Sequence, residues 1–199
     1  MRRHMFGIAT VCMAAGLAAL SAQTPAQPPA PGQRGGAPAG PGLTLTTTAF
    51  ADGSVIPDRF TQAVPAPASP KLEWTNVPAG TITFVLHMHD PDVARMRTTE
   101  DQLHWIAFNI PGMARELAEG MAPTATLPDG TIQIKNAGGT VGYRGPGAGA
   151  AGPYHHYTWE LYALDIKLDL TPDATRADVM KAIDGHILAK AVMFGRFHR

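Results

Sequence analysis

The sequence has almost no cysteine, no excess of either charge and no long apolar run inside it. Cys12 is its single thiol, which excludes a disulfide framework. The 16 Lys and Arg balance 16 Asp and Glu. Without a basic excess, a broad nucleic-acid-binding surface is excluded. No internal stretch reaches the roughly 18 consecutive apolar residues of a membrane span. Charged residues fill only 16% of the 199 positions, whereas Gly and Pro number 21 and 18. Punctuation this dense argues against a helical bundle and suits a loop-rich β protein.

The first 42 residues read as segments outside the fold. Met1 to Met5 is a short basic stretch, and Phe6 to Leu20 is an Ala-rich apolar run of 15 residues. Leu20-Ser21-Ala22 then offers small residues for cleavage. This three-part order is that of a secretory signal peptide, expected over residues 1–22 with the cut after Ala22. The competing reading is a single N-terminal anchor helix, disfavoured by the shortness of the run. Cys12 lies within the run without a lipobox, so no lipid anchor is expected. Residues 23–42 hold 6 Pro, 5 Gly and 4 Ala and no larger aliphatic side chain. Such a segment cannot bury enough apolar surface to offset its chain entropy, and is expected to be a disordered tether. Removing residues 1–22 takes away Arg2, Arg3 and the cysteine, leaving 14 basic against 16 acidic groups, a net charge of −2. Residues 43–199 form 157 positions, a common size for one domain. The expected location is exported, periplasmic or secreted.

Within those positions, short apolar or alternating segments are separated by Pro and Gly. Strands are predicted over Leu43–Phe50, Thr81–His89, Leu103–Ile110, Thr131–Ile134 and His155–Leu164. Pro78-Ala79-Gly80, Pro111-Gly112 and Pro128-Asp129-Gly130 mark turns between them. This spacing predicts a mainly β fold of antiparallel sheets packed as a sandwich or barrel. The exception is Thr171 to Ala191. Thr171, Asp173 and Thr175 are N-cap types, Val179, Met180 and Ile183 share a helical face, and Gly185 suits a helix end. Ile187, Leu188 and Ala191 then predict a second short helix.

Five of the 8 histidines fall between residues 87 and 156: His87, His89, His104, His155 and His156. Alternation puts His87 and His89 on one strand face, just before Asp90-Pro91-Asp92. It puts His104 with Ile106 and Phe108, His155 with Tyr157 and Trp159, and His156 on the opposite face from His155. A lone histidine on an apolar strand is more often a core or rim residue than a functional one. Several at strand ends, beside an acidic turn, can converge on one rim. Asp90 or Asp92 could then accept a ring N–H and fix its tautomer, in a pocket that takes an anion. The stretch Gly138 to Gly152 adds glycines whose amides can approach a ligand closely. It fits neither a P-loop nor a dinucleotide fingerprint, and a plain surface loop is the simpler reading of it. Binding that relies on imidazolium is expected to weaken above about pH 7.

The order of short motifs carries a resemblance. Ser69-Pro70-Lys71-Leu72-Glu73-Trp74, Asp90-Pro91-Asp92, His104-Trp105, Asn109-Ile110-Pro111, Gly142-Tyr143-Arg144-Gly145-Pro146, His155-His156-Tyr157 and Gly185-His186-Ile187-Leu188-Ala189 follow one another as in a known family. From about Leu43 to the C-terminus the chain resembles the phosphatidylethanolamine-binding protein family, in its bacterial Raf-kinase-inhibitor-like branch. The resemblance implies an antiparallel Greek-key β-sandwich with short C-terminal helices. It also implies a small anion pocket at one rim, lined by Asp90, Pro91, Asp92, His104, Gly145, Pro146, His155 and Tyr157. The sequence departs from the family pattern at Val93-Ala94, at Gly147-Ala148-Gly149, and at His156, where arginine is usual.

Three roles follow as expectations. The first is a non-catalytic module binding a small anionic or phosphorylated ligand, compatible with peripheral contact to a lipid headgroup. The second is a protein-interaction role, as regulator or inhibitor of an envelope enzyme whose identity the sequence does not name. The third is a metal site or hydrolase using His87, His89, His104 and a nearby Asp, but no spacing matches a defined metal motif. No Ser, Cys or Lys stands out as an activated nucleophile. The expectation is therefore no catalytic residue, no metal, no cofactor and no nucleic-acid partner.

Overall fold

The computed structural model describes residues 41–94 and 97–199. The expected signal peptide and all but the last two positions of the expected tether lie outside the described residues. No helix among the described residues is long and apolar enough to cross a membrane.

Among the described residues, eight strands and one α-helix make the fold: β1 (Thr44–Thr46), β2 (Leu72–Thr75), β3 (Thr83–Asp90), β4 (Gln102–Pro111), β5 (Glu116–Leu117), β6 (Ile132–Gln133), β7 (His155–Leu164), α1 (Arg176–Ile183) and β8 (Ile187–Phe197). Every named pairing is antiparallel. One sheet has the order β1-β2-β5 and the other β6-β4-β3-β7-β8. The long strands β3 and β7 sit inside the larger sheet, where apolar residues on both faces find partners. Phe84, Leu86 and Met88 of β3 join Trp105, Trp159 and Leu161, and meet Leu45, Leu72 and Trp74 of the smaller sheet in one buried cluster. Val85 of β3 faces the other way, with Ile106, Phe108, Tyr162 and Leu164 beneath Val179 and Ile183 of α1. Burying a side chain of this size contributes roughly 1.5–3 kcal/mol.

The helix starts where a capping box forms. The amide of Asp178 donates to the Thr175 hydroxyl at 3.2 Å, and the amide of Thr175 donates to Asp178 at 2.8 Å. It stops before Gly185, whose φ of 82° is left-handed.

The second predicted helix is instead strand β8. Ala191, Met193 and Phe197 are buried while Val192 and Phe194 are exposed, a period of two that matches a strand. β8 pairs with β7 along its length, from Ile187↔Leu164 to Phe197↔His155. The short strands β2 and β5 lie outside the predicted segments, and the first predicted strand shortens to Thr44–Thr46.

Candidate functional site

β3 ends at Asp90, and Pro91 and Asp92 form an exposed turn beyond it. Asp90 is 1% exposed, so its carboxyl group must be satisfied inside the protein. One oxygen accepts from the Asp92 amide at 3.0 Å, and the other from His155 Nδ1 at 2.8 Å. His155 opens β7. With Nδ1 committed to Asp90, its Nε2 is left for a ligand, and the side chain is 22% exposed.

Tyr157 lies two residues along, on the same face. Its hydroxyl accepts from the amides of Gly147 and Ala148, both at 3.1 Å. Burial, together with the Asp90 charge, pushes the phenol up to about 12, so the hydroxyl keeps its proton. Tyr157 therefore ties β7 to the Gly-rich loop beside the acidic turn. It also occupies two loop amides that could otherwise have faced a ligand.

His104 is brought to the same cluster, but not as alternation predicts. Met88 pairs with Trp105 and His89 with Leu103, a register shift that leaves His104 without a partner on β3. The extra residue turns the ring away from Ile106 and Phe108, and it packs edge-on against Tyr157 with centroids 5.1 Å apart. A carbonyl can only accept, so the 2.8 Å contact to the Arg144 oxygen fixes the proton on Nδ1. Nε2 accepts from the Gln102 amide group at 3.2 Å. Burial lowers this imidazole to about 4. His104 is thus buried with both ring nitrogens partnered, and burial favours its neutral form.

The loop wall is fixed by a residue that the sequence motifs do not mark. Gln62 donates from its side chain to the Gly145 carbonyl at 2.7 Å and from its amide to the Pro146 carbonyl at 2.8 Å. The wall is tight: a Cβ on Gly145 would lie 2.8 Å from the Phe60 carbonyl oxygen. Gly145 and Pro146 are buried, whereas Gly147 is half-buried. Beyond the loop, a cleft of about 450 Å³ is lined by Asp58, Gln62, Ala63, Phe197, His198 and Arg199. Solvent therefore reaches the cluster at His155 and along the loop, not at Asp90 or His104. His156 points outward, and Asp92 accepts from its amide at 2.6 Å and its ring at 3.0 Å. The residue that departs from the family pattern thereby holds the acidic turn from outside.

A second cluster lies on the opposite face of β3. His87 and His89 stack with centroids 4.4 Å apart and planes 5° from parallel. His87 Nδ1 contacts Glu160 at 3.2 Å, and His89 Nδ1 contacts Asp101 at 2.5 Å. Burial lowers the His87 imidazole. Burial alone would raise Glu160, but His87, Lys190 and Tyr162 outweigh it and hold its carboxyl well below the usual range. Glu160, Asp101 and Lys190 escape the sequence motifs. Glu160 sits opposite His87 in the β3–β7 register, information that a single strand does not contain.

The sequence profile described as "Phosphatidylethanolamine-binding protein" matches residues 46–198. This chain belongs to the phosphatidylethanolamine-binding protein family. A UPF0098 protein of Methanothermobacter thermautotrophicus is 40% identical over 157 residues, covering 79% of this chain and 99% of that one. LppC of Mycobacterium tuberculosis, provisionally named a lipoprotein, is 34% identical over 161 residues, covering 81% of this chain and 75% of its own. A crystal structure described as a phosphatidylethanolamine-binding protein homologue from Chlamydia trachomatis has a TM-score of 0.68 and 32% identity, covering 79% of this chain and 98% of that one. Family membership and the mainly antiparallel β fold therefore agree with the sequence reading. In this member of the family, Asp90, His104, His155 and Tyr157 form one connected cluster, Gly145 and Pro146 form its wall, and Pro91 and Asp92 lie on its outer turn.

Proposed function

We propose that the chain is an exported, non-catalytic binding module whose small anionic ligand, of the phosphate or phospholipid-headgroup type, meets His155. The observation that carries this reading is the buried Asp90 carboxylate holding His155 Nδ1 at 2.8 Å. It orients the ring so that Nε2 can donate to an anion oxygen when the imidazole is protonated. The Asp92 amide holds Asp90 in turn, so the pair is pre-organised and little ordering entropy remains at binding. Gly147, half-buried beside the Tyr157 hydroxyl, leaves the loop edge open to the rest of the ligand.

A non-catalytic role is supported by the hydrogen bonding. The side chains at this rim are acids, imidazoles and a phenol, and among the described residues no Ser, Cys or Lys stands beside them as a nucleophile. Export is supported by the N-terminal sequence pattern and by the lipoprotein name of the mycobacterial relative.

Calorimetry of the untagged chain with phosphate, phosphoethanolamine and acetate tests the reading. Heat with the two phosphorylated ligands is expected, and its loss in His155→Ala. No heat with any of the three overturns it. Equal binding of acetate and phosphate would assign the site to carboxylates instead.

A further inference from the structure

Two imidazoles and a carboxylate meet on the face of β3 that the anion site does not use. We propose that His87, His89 and Glu160 form a binding site for a borderline divalent transition metal of the zinc type. Among the described residues, one ligand atom from each of these three lies within 4.8 Å of the others.

The donor set has the right chemistry. Imidazole nitrogen with one carboxylate oxygen suits Zn²⁺ and its neighbours, whereas Mg²⁺ and Ca²⁺ take all-oxygen sites. Tetrahedral coordination at about 2.0–2.1 Å places ligand atoms about 3.3 Å apart. His87 Nδ1 is already 3.2 Å from Glu160 Oε2, and His89 Nε2 is 4.0 Å from the same oxygen. A tilt of the His89 ring out of its stack closes that last gap.

The ring nitrogens are a second, independent observation. His87 is 2% exposed, yet its Nε2, like that of His89, is buried without a hydrogen-bond partner. Of the two, His89 Nε2 is the nitrogen that the metal would pair: it lies 4.0 Å from Glu160 and lacks any other partner.

The surroundings supply the outer layer that a metal–histidine site needs. Asp101 takes His89 Nδ1 at 2.5 Å, which leaves Nε2 as the lone-pair nitrogen facing Glu160. Arg176, at the start of α1, pairs with Asp101. A carboxylate behind a ligating histidine fixes its tautomer and orientation. Tyr162 donates to Glu160 Oε2 at 2.6 Å, and Lys190 pairs with the other oxygen at 2.5 Å. Lys190 is the competitor. Its half-exposed ammonium neutralises Glu160, and it swings to solvent when a dication takes that role. His104 and the Asp90 carboxylate face the other side of the sheet and have no part in the site. Bound metal would fasten β3 to β7, and through Asp101 and Arg176 would also engage α1.

Zinc and cobalt chloride titrations of the untagged chain, read by calorimetry and by the visible bands of Co²⁺, test the proposal. One metal per folded chain is expected, with no binding of Mg²⁺. Asp101→Asn is expected to weaken zinc by 10-fold or more, and His89→Gln to abolish the tetrahedral Co²⁺ bands. Lys190→Met, a change at the surface, is expected to tighten binding, which a merely structural role for Glu160 would not produce. Circular dichroism confirms that each variant is folded. Zinc binding that is absent in the wild-type chain, or unchanged in folded His89→Gln, overturns the proposal. An unchanged or weaker affinity in Lys190→Met removes Glu160 from the ligand set and overturns it equally.

Discussion

The two faces of strand β3 carry the same residue types and put them to different use. On one face Asp90 holds His155 and Tyr157 holds two loop amides, while His104 is closed off by Arg144 and Gln102. On the other face His87 and His89 stack, with one nitrogen of each unpartnered. The first face has a carboxylate at its centre and a loop for a wall. The second has a carboxylate contributed by the neighbouring strand, with cations behind it. A histidine count alone does not distinguish them. What separates them is alternation along one strand, plus one register shift in the next.

The largest effect expected from breaking this contrast is at Asp90. Asp90→Ala leaves His155 and the Asp92 amide without their common acceptor. Removing one member of a buried charged network costs about 3–5 kcal/mol. Urea unfolding checks this, and phosphate binding is expected to disappear with the stability.

Acidification comes next. The folded pKa of His104 is about 4, below its ordinary 6.5, so the unfolded chain binds the proton more readily between those values. This contribution is complete above about pH 6.5 and is lost as the pH falls toward 4, by about 3 kcal/mol at most. His87 is lowered in the same direction by burial. Denaturation midpoints measured from pH 7.5 to 4 are expected to fall, with a shallower fall in His104→Asn.

Tyr157→Phe removes the acceptor of two loop amides. A cost of about 1–3 kcal/mol is expected, with faster hydrogen exchange at Gly147 and Ala148 and little change around His87. The smallest effect belongs to His156→Ala. Its partner Asp92 is itself exposed, with side-chain exposures of 48% and 39% for the pair, and such pairs contribute about 0.5 kcal/mol. Thermal melts are expected to shift slightly, while phosphate affinity drops through a looser turn.

Much of the first face was legible in the sequence, and little of the second. His155 and Tyr157 share a strand face by simple alternation, and the acidic turn after His89 had to end β3. Alternation places His104 on the wrong face because a single inserted residue shifts the register, and nothing in Leu103-His104-Trp105 announces it. Ile187 to Ala191 resembled a helix at i, i+1 and i+4. Its true period shows only further on, at Ala191, Met193, Gly195 and Phe197. A Cβ at Gly195 would come 2.5 Å from the Ile56 side chain, a close approach that only tertiary structure reveals. Glu160, Asp101 and Lys190 reach the outer cluster from three separate segments. Such a meeting depends on strand pairing, which local patterns do not specify.

Histidine ring NMR during a phosphate titration of the untagged chain tests most directly whether the two faces act separately. The expected result is a saturable shift of the His155 ring with the His87 and His89 rings unmoved. Movement of His87 and His89 with His155 unchanged would contradict the assignment of the anion to the Asp90 face.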